Sequence, residues 1–235
     1  MLGQEAVSGK SSEITAIPLL LERLALNGAL VTIDAIGTQN SIADTILERG
    51  GDYLLALKAN RPATFKDVAA FFADPPPSIE TCTTTDGDHG RVEVRRHAVC
   101  HDVAWLFSDR RYPGEVAFPG LAMIGMVEAE TGRAGKTSCE RRYYLCSAKL
   151  DPAAFAHAVR GHWGIENRLH WVLDVVFRED LSRLRTGYGP ENMAVVRHMA
   201  TNLLHRAKPT TSLKNRRKRA GWNISYLESL IRQNA

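Results

Sequence analysis

The sequence lacks long apolar runs and an export signal. No stretch approaches the roughly 18 consecutive apolar residues that a membrane span requires. The first residues have no positively charged start, no apolar core and no small-residue cleavage site of a secretory signal. These absences predict a soluble, cytoplasmic protein that has no membrane partner.

Cysteine is scarce, and its spacing does not indicate a metal site. The four cysteines form no CxxC pair and no zinc-finger spacing. Without an export signal we expect reduced, partly buried thiols rather than disulfides. They are Cys82, Cys100, Cys139 and Cys146.

The composition shows no strong bias. Of 235 residues, 44% are hydrophobic and 24% are charged, which excludes collagen-like, coiled-coil and wholly disordered proteins. The length is sufficient for a sizeable core. The net charge of +4 permits a nucleic-acid partner without requiring one.

Positive charge is concentrated in two regions, one in the middle of the chain and one near its end. Such clusters are either nucleic-acid contacts or ordinary solvated surface. The clustered residues are Arg91, Arg95, Arg96, Arg141, Arg142, Lys214, Arg216, Arg217, Lys218 and Arg219.

The first part of the chain alternates between helix and strand patterns. Apolar spacing predicts a helix over about 13–27, a second helix that stops at Gly50 and Gly51, and a third over about 62–72. The short apolar runs 29–33 and 53–58 predict strands that are buried on both faces. This rhythm indicates a mostly parallel sheet covered by helices.

The pattern changes after residue 78. Alternating and turn-rich segments over 79–147 predict an antiparallel β insertion or subdomain. A helix is predicted to open at Pro152 and to continue to about Val175, and another long helix follows Pro190. The polar, basic segment from Thr210 is expected to fray before a short helix at 226–231.

Asp34 is the first candidate functional residue, because it follows a predicted strand directly. In open α/β sheets, sites form at the carboxyl ends of the strands. The alternative is an Asp that caps the next turn. Asp52 precedes its strand, so we expect it at the opposite edge of the sheet and not beside Asp34.

A second group of candidates lies on one predicted helix. His162, Glu166 and His170 are spaced by four and therefore share a face. Trp163 and Trp171, on the same helix, are expected to pack in the core rather than stack on a base.

Three classes of function fit these candidates. A zinc hydrolase could use the three helix residues, although the HExxH pattern is absent. A two-metal phosphoryl-transfer site could combine Asp34 with Glu166, whose oxygens suit Mg²⁺ or Mn²⁺. A non-catalytic nucleic-acid-binding module would need only the basic clusters.

Three long motifs stand out in the sequence, VTIDAIGTQNSIADTILERGGDYLLALKANRP, DGDHGRVEVRR and RGHWGIENRLHWVLDVVFREDLSRLRTGYGPENMAVVRHMATNLL. Together they resemble the DDE-type transposases of bacterial insertion sequences, and most of all the H-repeat-associated group found with Rhs elements. The resemblance extends to about Leu204, with the motifs in the family's order. It implies an α/β fold, with a ribonuclease-H-like core, a β-rich insertion and a carboxy-terminal helical segment.

The resemblance implies specific roles. Asp34 matches the second acidic residue of the DDE triad and Glu166 matches the last, so both would hold Mg²⁺ or Mn²⁺ without an organic cofactor. The partner would be double-stranded DNA, both as transposon ends and as target, so the protein would associate with the nucleoid. The resemblance also allows a homodimer. Candidate DNA contacts from the motifs and the basic clusters are His89, Arg91, Arg95, Arg96, Asn167, His170, Lys214, Arg216 and Arg217. Pairing of Glu93 with an arginine across strands is the structural alternative for the HGRxExR pattern.

The sequence departs from the family in one respect. The family's first Asp lies in an upstream DGK-like motif, which is absent here. The resemblance therefore implies an incomplete ribonuclease-H-like core. Residues 1–75 would be its amino-terminal part, and residues 151–208 would be its helical part, which carries Glu166. A β-rich insertion at 76–150 would separate the two parts, and a basic tail would follow at 209–235. We expect this chain alone to be catalytically inactive, and a remnant that only binds DNA is the alternative function.

Overall fold

The computed structural model describes residues 5, 13–88, 91–108, 118–133, 136–207 and 211–232. The chain divides into two compact units. The sheet unit comprises residues 7–162, and the helical unit begins at Trp163 and continues to the carboxyl end.

The amino-terminal part of the sheet unit alternates helices with two strands, as the sequence predicts. Gly28 and Gly50 both adopt positive φ, at 72° and 73°, in the turns that precede the strands. The elements are α1 (Glu13–Glu22), β1 (Leu30–Ile33), α2 (Asn40–Glu48), β2 (Asp52–Leu57) and α3 (Pro62–Ala73).

Four longer strands and one short helix follow. The strands pair in antiparallel fashion, as predicted for this region. They are β3 (Glu80–Asp88), β4 (Arg91–Cys100), β5 (Met123–Arg133) and β6 (Lys136–Cys146), with α4 (Trp105–Ser108) between β4 and β5.

All six strands form one sheet, in the order β1-β2-β6-β5-β4-β3. β6 pairs with β2 in antiparallel register, from Leu54 opposite Cys146 to Leu57 opposite Tyr143. The predicted insertion is therefore continuous with the core sheet. The expectation of a mostly parallel sheet is wrong, since β1 and β2 are the one parallel pair among the described strands.

Helices cover the two faces of this sheet. Successive strand residues point to opposite faces, so Tyr143 and Tyr144 of β6 face different layers. Tyr143 contacts Phe65 of α3 with the ring centroids 5.5 Å apart. Tyr144 contacts Phe155 at 5.5 Å, on the following helix, α5 (Pro152–Ile165).

His97 of β4 is a fully buried polar residue in the layer under α5. Its ring lies 6.1 Å from the ring of Phe155 in an edge-to-face arrangement. Burial lowers the pKa of the imidazole, which keeps it neutral at pH 7.

β1 differs from its predicted environment. Its four residues are half-buried rather than buried, whereas all but the first residue of β2 are buried. The reason is position, because within the described residues β1 is an edge strand with β2 as its one neighbour.

The helical unit continues from α5. Two π-helical turns, Glu166–His170 and Val172–Val176, precede α6 (Gly189–Arg206), α7 (Leu213–Trp222) and α8 (Ile224–Arg232). Leu204, Ala207 and Leu230 form its small core, with Phe177, Leu213, Ala220 and Tyr226 packed around them. The expectation that the basic tail frays is therefore wrong. The few apolar residues of α7 and α8 pack into this core, and their burial stabilises both helices.

No helix among the described residues is long and apolar enough to cross a membrane. All four cysteines are free thiols, and their burial ranges from exposed Cys139 to buried Cys146.

Gly125 tests the packing of α5 on the sheet. A Cβ at this position would lie 2.6 Å from Cζ of Phe155. We expect Gly125→Ala to lower the free energy of unfolding by about 1–3 kcal/mol, since overpacking forces neighbouring groups apart. Chemical denaturation followed by circular dichroism measures this change.

The matched control is Gly87→Ala, because a Cβ on Gly87 of β3 meets nothing within 4 Å. An equal loss of stability in both variants would contradict the described packing.

Candidate functional site

Asp34 occupies the turn that leaves β1. Its backbone is extended, and a single 3₁₀ turn, Ala35–Gly37, follows. Its Oδ1 accepts a hydrogen bond from the backbone N–H of Ile36 at 3.2 Å. The side chain is nevertheless exposed. The capping interpretation therefore describes Asp34, and its carboxylate also faces solvent at the end of a strand.

Two side-chain hydrogen bonds attach this turn to the neighbouring strand. The fully buried Thr38 donates its hydroxyl proton to the carbonyl of Ala56 in β2, at 2.5 Å. Asn60, just after β2, donates its amide N–H to the carbonyl of Ala35, also at 2.5 Å. Buried backbone carbonyls need such partners, so these two residues fix the backbone that carries Asp34.

Sequence reasoning missed Thr38 and Asn60 as site residues. No motif marks them, since Thr38 lies several residues beyond the predicted strand 29–33 and Asn60 lies shortly beyond the predicted strand 53–58. Gly37 contributes through its small size. A Cβ there would lie 2.4 Å from Cγ2 of Ile33, so the turn can fold back on β1 only without a side chain.

Asp52 lies where the sequence predicts, away from Asp34. It is opposite Leu30 in the parallel register, at the start of β2, whereas Asp34 follows the end of β1. Its Oδ1 accepts a hydrogen bond from the Ser147 hydroxyl at 2.7 Å. Asp52 therefore has a structural partner at the opposite edge.

His162 of α5 contacts the edge strand. Its Nδ1 lies 3.1 Å from Oγ1 of Thr32, two residues before Asp34. This hydrogen bond holds α5 against β1, so His162 has a positioning contact.

Glu166 begins the first π-helical turn, one turn of helix after His162. Turns of this rare type occur frequently at functional sites. The side chains of Glu166 and Asn167 lie outside the described residues. His170 is exposed. Trp171 is 55% exposed, so the expectation that it packs in the core is wrong.

The predicted DNA contacts in the insertion fall into two groups. His89 and the side chain of Arg91 lie outside the described residues. Arg95 is held between two carboxylates, that of Glu93 at 2.7 Å and that of Asp86. Arg160 of α5 also reaches Asp86, at 2.7 Å. Glu93 therefore pairs with Arg95 of its own strand rather than across strands. Arg95 joins β4 to Asp86 of β3, and Asp86 in turn joins β3 to α5.

Arg96 has the opposite orientation. As the next residue in β4 it points to the other face. It is exposed and has no ion-pair partner in the described part of the chain. Two neighbouring arginines are paired, Arg141 with Glu128 at 2.5 Å and Arg142 with Glu140 at 2.8 Å. Among the arginines of the β insertion whose side chains the structure describes, Arg96 is thus the one most available to a phosphate.

The basic cluster of α7 also divides. Arg216 is buried, and its guanidinium donates to the carbonyl of Leu204 and, at 3.1 Å, to that of Ala207. The predicted DNA contact for Arg216 is corrected, because this side chain caps the carboxyl end of α6. Arg217 lies over the ring of Phe177, 5.6 Å from its centroid. Lys214 is exposed.

The chemistry of Asp34 fits one ligand of a divalent ion. It offers an exposed carboxylate held by its turn, and its second oxygen has no hydrogen-bond partner in the described part of the chain. Hard cations prefer such oxygens. No group of three or more His, Cys, Asp or Glu side chains that could hold a metal occurs among the described residues. The described part of the site is therefore a single carboxylate.

Comparison with known proteins identifies the family of the chain. Residues 1–203 match the family model of the transposase DDE domain. The chain belongs to the DDE transposase family. No solved structure matches it.

Its curated relatives include H-repeat-associated transposases, as the motifs predict. The chain is 38% identical over 241 residues to the putative transposase YncI of Escherichia coli O157:H7, an alignment that covers 98% of the chain and 60% of YncI. It is 34% identical over 235 residues to the H repeat-associated putative transposase YhhI of Escherichia coli K12, covering 98% of the chain and 62% of YhhI. The chain thus spans about three fifths of the length of these relatives.

The hydroxyl of Thr38 tests the attachment of the Asp34 turn. We expect Thr38→Val to lower the free energy of unfolding by about 1 kcal/mol, because one buried hydrogen bond is lost and the Ala56 carbonyl is left without its partner. Urea denaturation measures the change.

Thr83→Val is the control, since Thr83 is an exposed strand residue of β3. If both variants kept the stability of the parent chain, the hydrogen bond from Thr38 to Ala56 would not contribute to stability.

Proposed function

We propose that this chain is the part of a DNA transposase that carries the second and last acidic residues of a two-metal phosphoryl-transfer centre. The observation that carries the proposal is the Asp34 carboxylate, which is exposed directly after β1 and oriented by the Ile36 N–H. A carboxylate fixed at the carboxyl end of a strand is suited to an ion that must hold a constant position.

Asp34 and Glu166 are the residues that would hold Mg²⁺ or Mn²⁺. When bound, a pair of such ions activates the attacking oxygen and stabilises the leaving oxygen at phosphorus. The surrounding residues of this chain hold these elements in position. Thr38 and Asn60 fix the Asp34 turn on β2, and His162 attaches α5, which leads into Glu166, to β1.

The proposed substrate is double-stranded DNA, both as transposon ends and as target. Cleavage and strand transfer need the phosphate backbone to be held beside the carboxylates. Exposed arginine and lysine side chains bind phosphate groups whatever the base sequence of the DNA. Arg96 in the insertion is a candidate for this role, because no carboxylate among the described residues engages it.

We further propose that the chain alone does not cleave DNA. β1 has a single strand neighbour among the described residues, and an unpaired edge of this kind accepts another strand. The relatives are longer than the matched region. A segment from outside this sequence would add the strand beside β1 and the first Asp. The alternative is a remnant that binds DNA without cleaving it.

Cleavage of DNA separates these functions. The purified chain with Mg²⁺ or Mn²⁺ is expected to leave transposon-end DNA intact. A chimera with the amino-terminal region of YhhI fused upstream is expected to cleave it. Asp34→Asn in that chimera should reduce the rate by about 10³-fold or more, because Asn keeps the turn acceptor but removes the negative charge that holds the ion. Gel assays of end cleavage measure both.

Asp52→Asn provides the control. It also exchanges a carboxylate for an amide, at the opposite end of the parallel pair, and it keeps an acceptor for Ser147. Cleavage by the chain alone would refute its predicted inactivity. An active Asp34→Asn chimera would refute the role of Asp34.

A further inference from the structure

The carboxy-terminal helices include a long stretch without acidic residues. Between Asn192 and Leu227 the sequence contains no Asp or Glu. The same stretch includes most of α6, all of α7 and the start of α8. Its cations are Arg197, Arg206, Lys208, Lys214, Arg216, Arg217, Lys218 and Arg219.

Three of these cations are engaged inside the helical unit. Arg197 of α6 pairs with Glu179 at 2.9 Å, and its side chain is 12% exposed. Arg216 caps α6, and Arg217 lies against Phe177. They stabilise the helices and are poorly placed to meet a partner.

The outer face of α7 carries the cations that packing leaves exposed. Leu213, Arg216, Arg217 and Ala220 form the inner face. Helix geometry places one exposed row one turn apart at Lys214 and Lys218, and a second row beside it. The second row consists of Asn215, Arg219 and Trp222, which are also exposed. We call these five residues the α7 outer face.

The charges on the α7 outer face are available. Neither Lys214 nor Lys218 has an ion-pair partner in the part of the chain that the structure describes. The Arg219 guanidinium lies 4.4 Å from the centroid of the Tyr226 ring. This contact is with an aromatic ring and not with a carboxylate, and the Arg219 side chain stays exposed.

From this arrangement we infer that the α7 outer face binds the phosphate backbone of duplex DNA. The three exposed cations of this face lie within two helical turns. The Asn215 amide and Trp222, which is 71% exposed, lie beside them. The surrounding sequence, from Asn192 to Leu227, contains no carboxylate side chain. Such a surface complements a polyanion. It lacks the aliphatic side chains with which an amphipathic helix enters a lipid surface.

The inference rests on the proposed function in taking DNA as the partner, but it does not depend on cleavage. The match to the DDE domain ends at residue 203, before α7 begins at Leu213. The α7 outer face would therefore be a DNA contact additional to that domain.

The test measures binding of the full chain to a fluorescein-labelled generic duplex in EDTA, so that no cleavage can occur. Over about 50 to 200 mM salt, log affinity falls as log salt concentration rises, and each phosphate contact adds about 0.9 to the absolute value of this slope. We expect Lys214→Gln, Lys218→Gln and Arg219→Gln together to lower that slope by about 2 to 3 and to weaken binding at least about tenfold. The double variant that keeps Arg219, and with it the contact to Tyr226, should lower the slope by about 2.

The control removes the same charge elsewhere. Lys58→Gln, Lys66→Gln and Lys149→Gln together neutralise three exposed lysines of the sheet unit. This variant should change the slope by less than about 1. An equal effect in both triple variants would mean that only net charge matters and would overturn the inference.

The remaining outcomes separate this inference from the proposed function. If the parent chain binds and the α7 variants bind equally well, the inference fails, while DNA remains a partner held elsewhere. If the parent chain does not bind duplex DNA even at the lowest salt concentration, both the inference and the proposed partner fail. Binding to phosphatidylglycerol vesicles without binding to the duplex would identify a membrane surface instead and overturn the inference.

Discussion

The buried strand β2 is the element on which the rest of the sheet unit depends. On one side it pairs in parallel with β1, and on the other it pairs in antiparallel register with β6. The first pairing, with the hydrogen bonds from Thr38 and Asn60, sets the position of Asp34. The second joins the whole β insertion to the core. Any change that moves β2 would therefore move both the candidate metal ligand and the insertion.

Cations of the same type serve two physical purposes in this chain. Arg95 and Arg216 are held inside by carboxylates or by backbone carbonyls, whereas Arg96 and Lys214 face solvent. A buried guanidinium must have its donors satisfied, so it becomes a structural link. An exposed cation keeps its charge available to phosphate. Packing, rather than local charge density, decides which basic residues stay exposed to solvent.

The sequence predicted the features that depend on local periodicity and strand ends. Asp34 was predicted because it follows a short β-branched run, and the helices and strands around it are confirmed. The pairing of β6 with β2 could not be predicted, since it depends on contacts between distant segments. Nor could the folded state of α7, because its polar sequence folds only when Leu213 and Ala220 pack against Leu204 and Leu230. Thr38 and Asn60 were missed because their partners are backbone carbonyls, which no motif reveals.

The central claim is that the Asp34 carboxylate is a metal ligand presented by a fixed turn. Paramagnetic broadening by Mn²⁺ in an amide NMR spectrum of the chain tests it most directly. The account predicts selective broadening of the Ile36, Gly37 and Thr38 signals, loss of that broadening in Asp34→Asn, and no effect at Asp52 or Ser147. Equal broadening in the parent chain and in Asp34→Asn, or none around Asp34 in the parent chain, would contradict it.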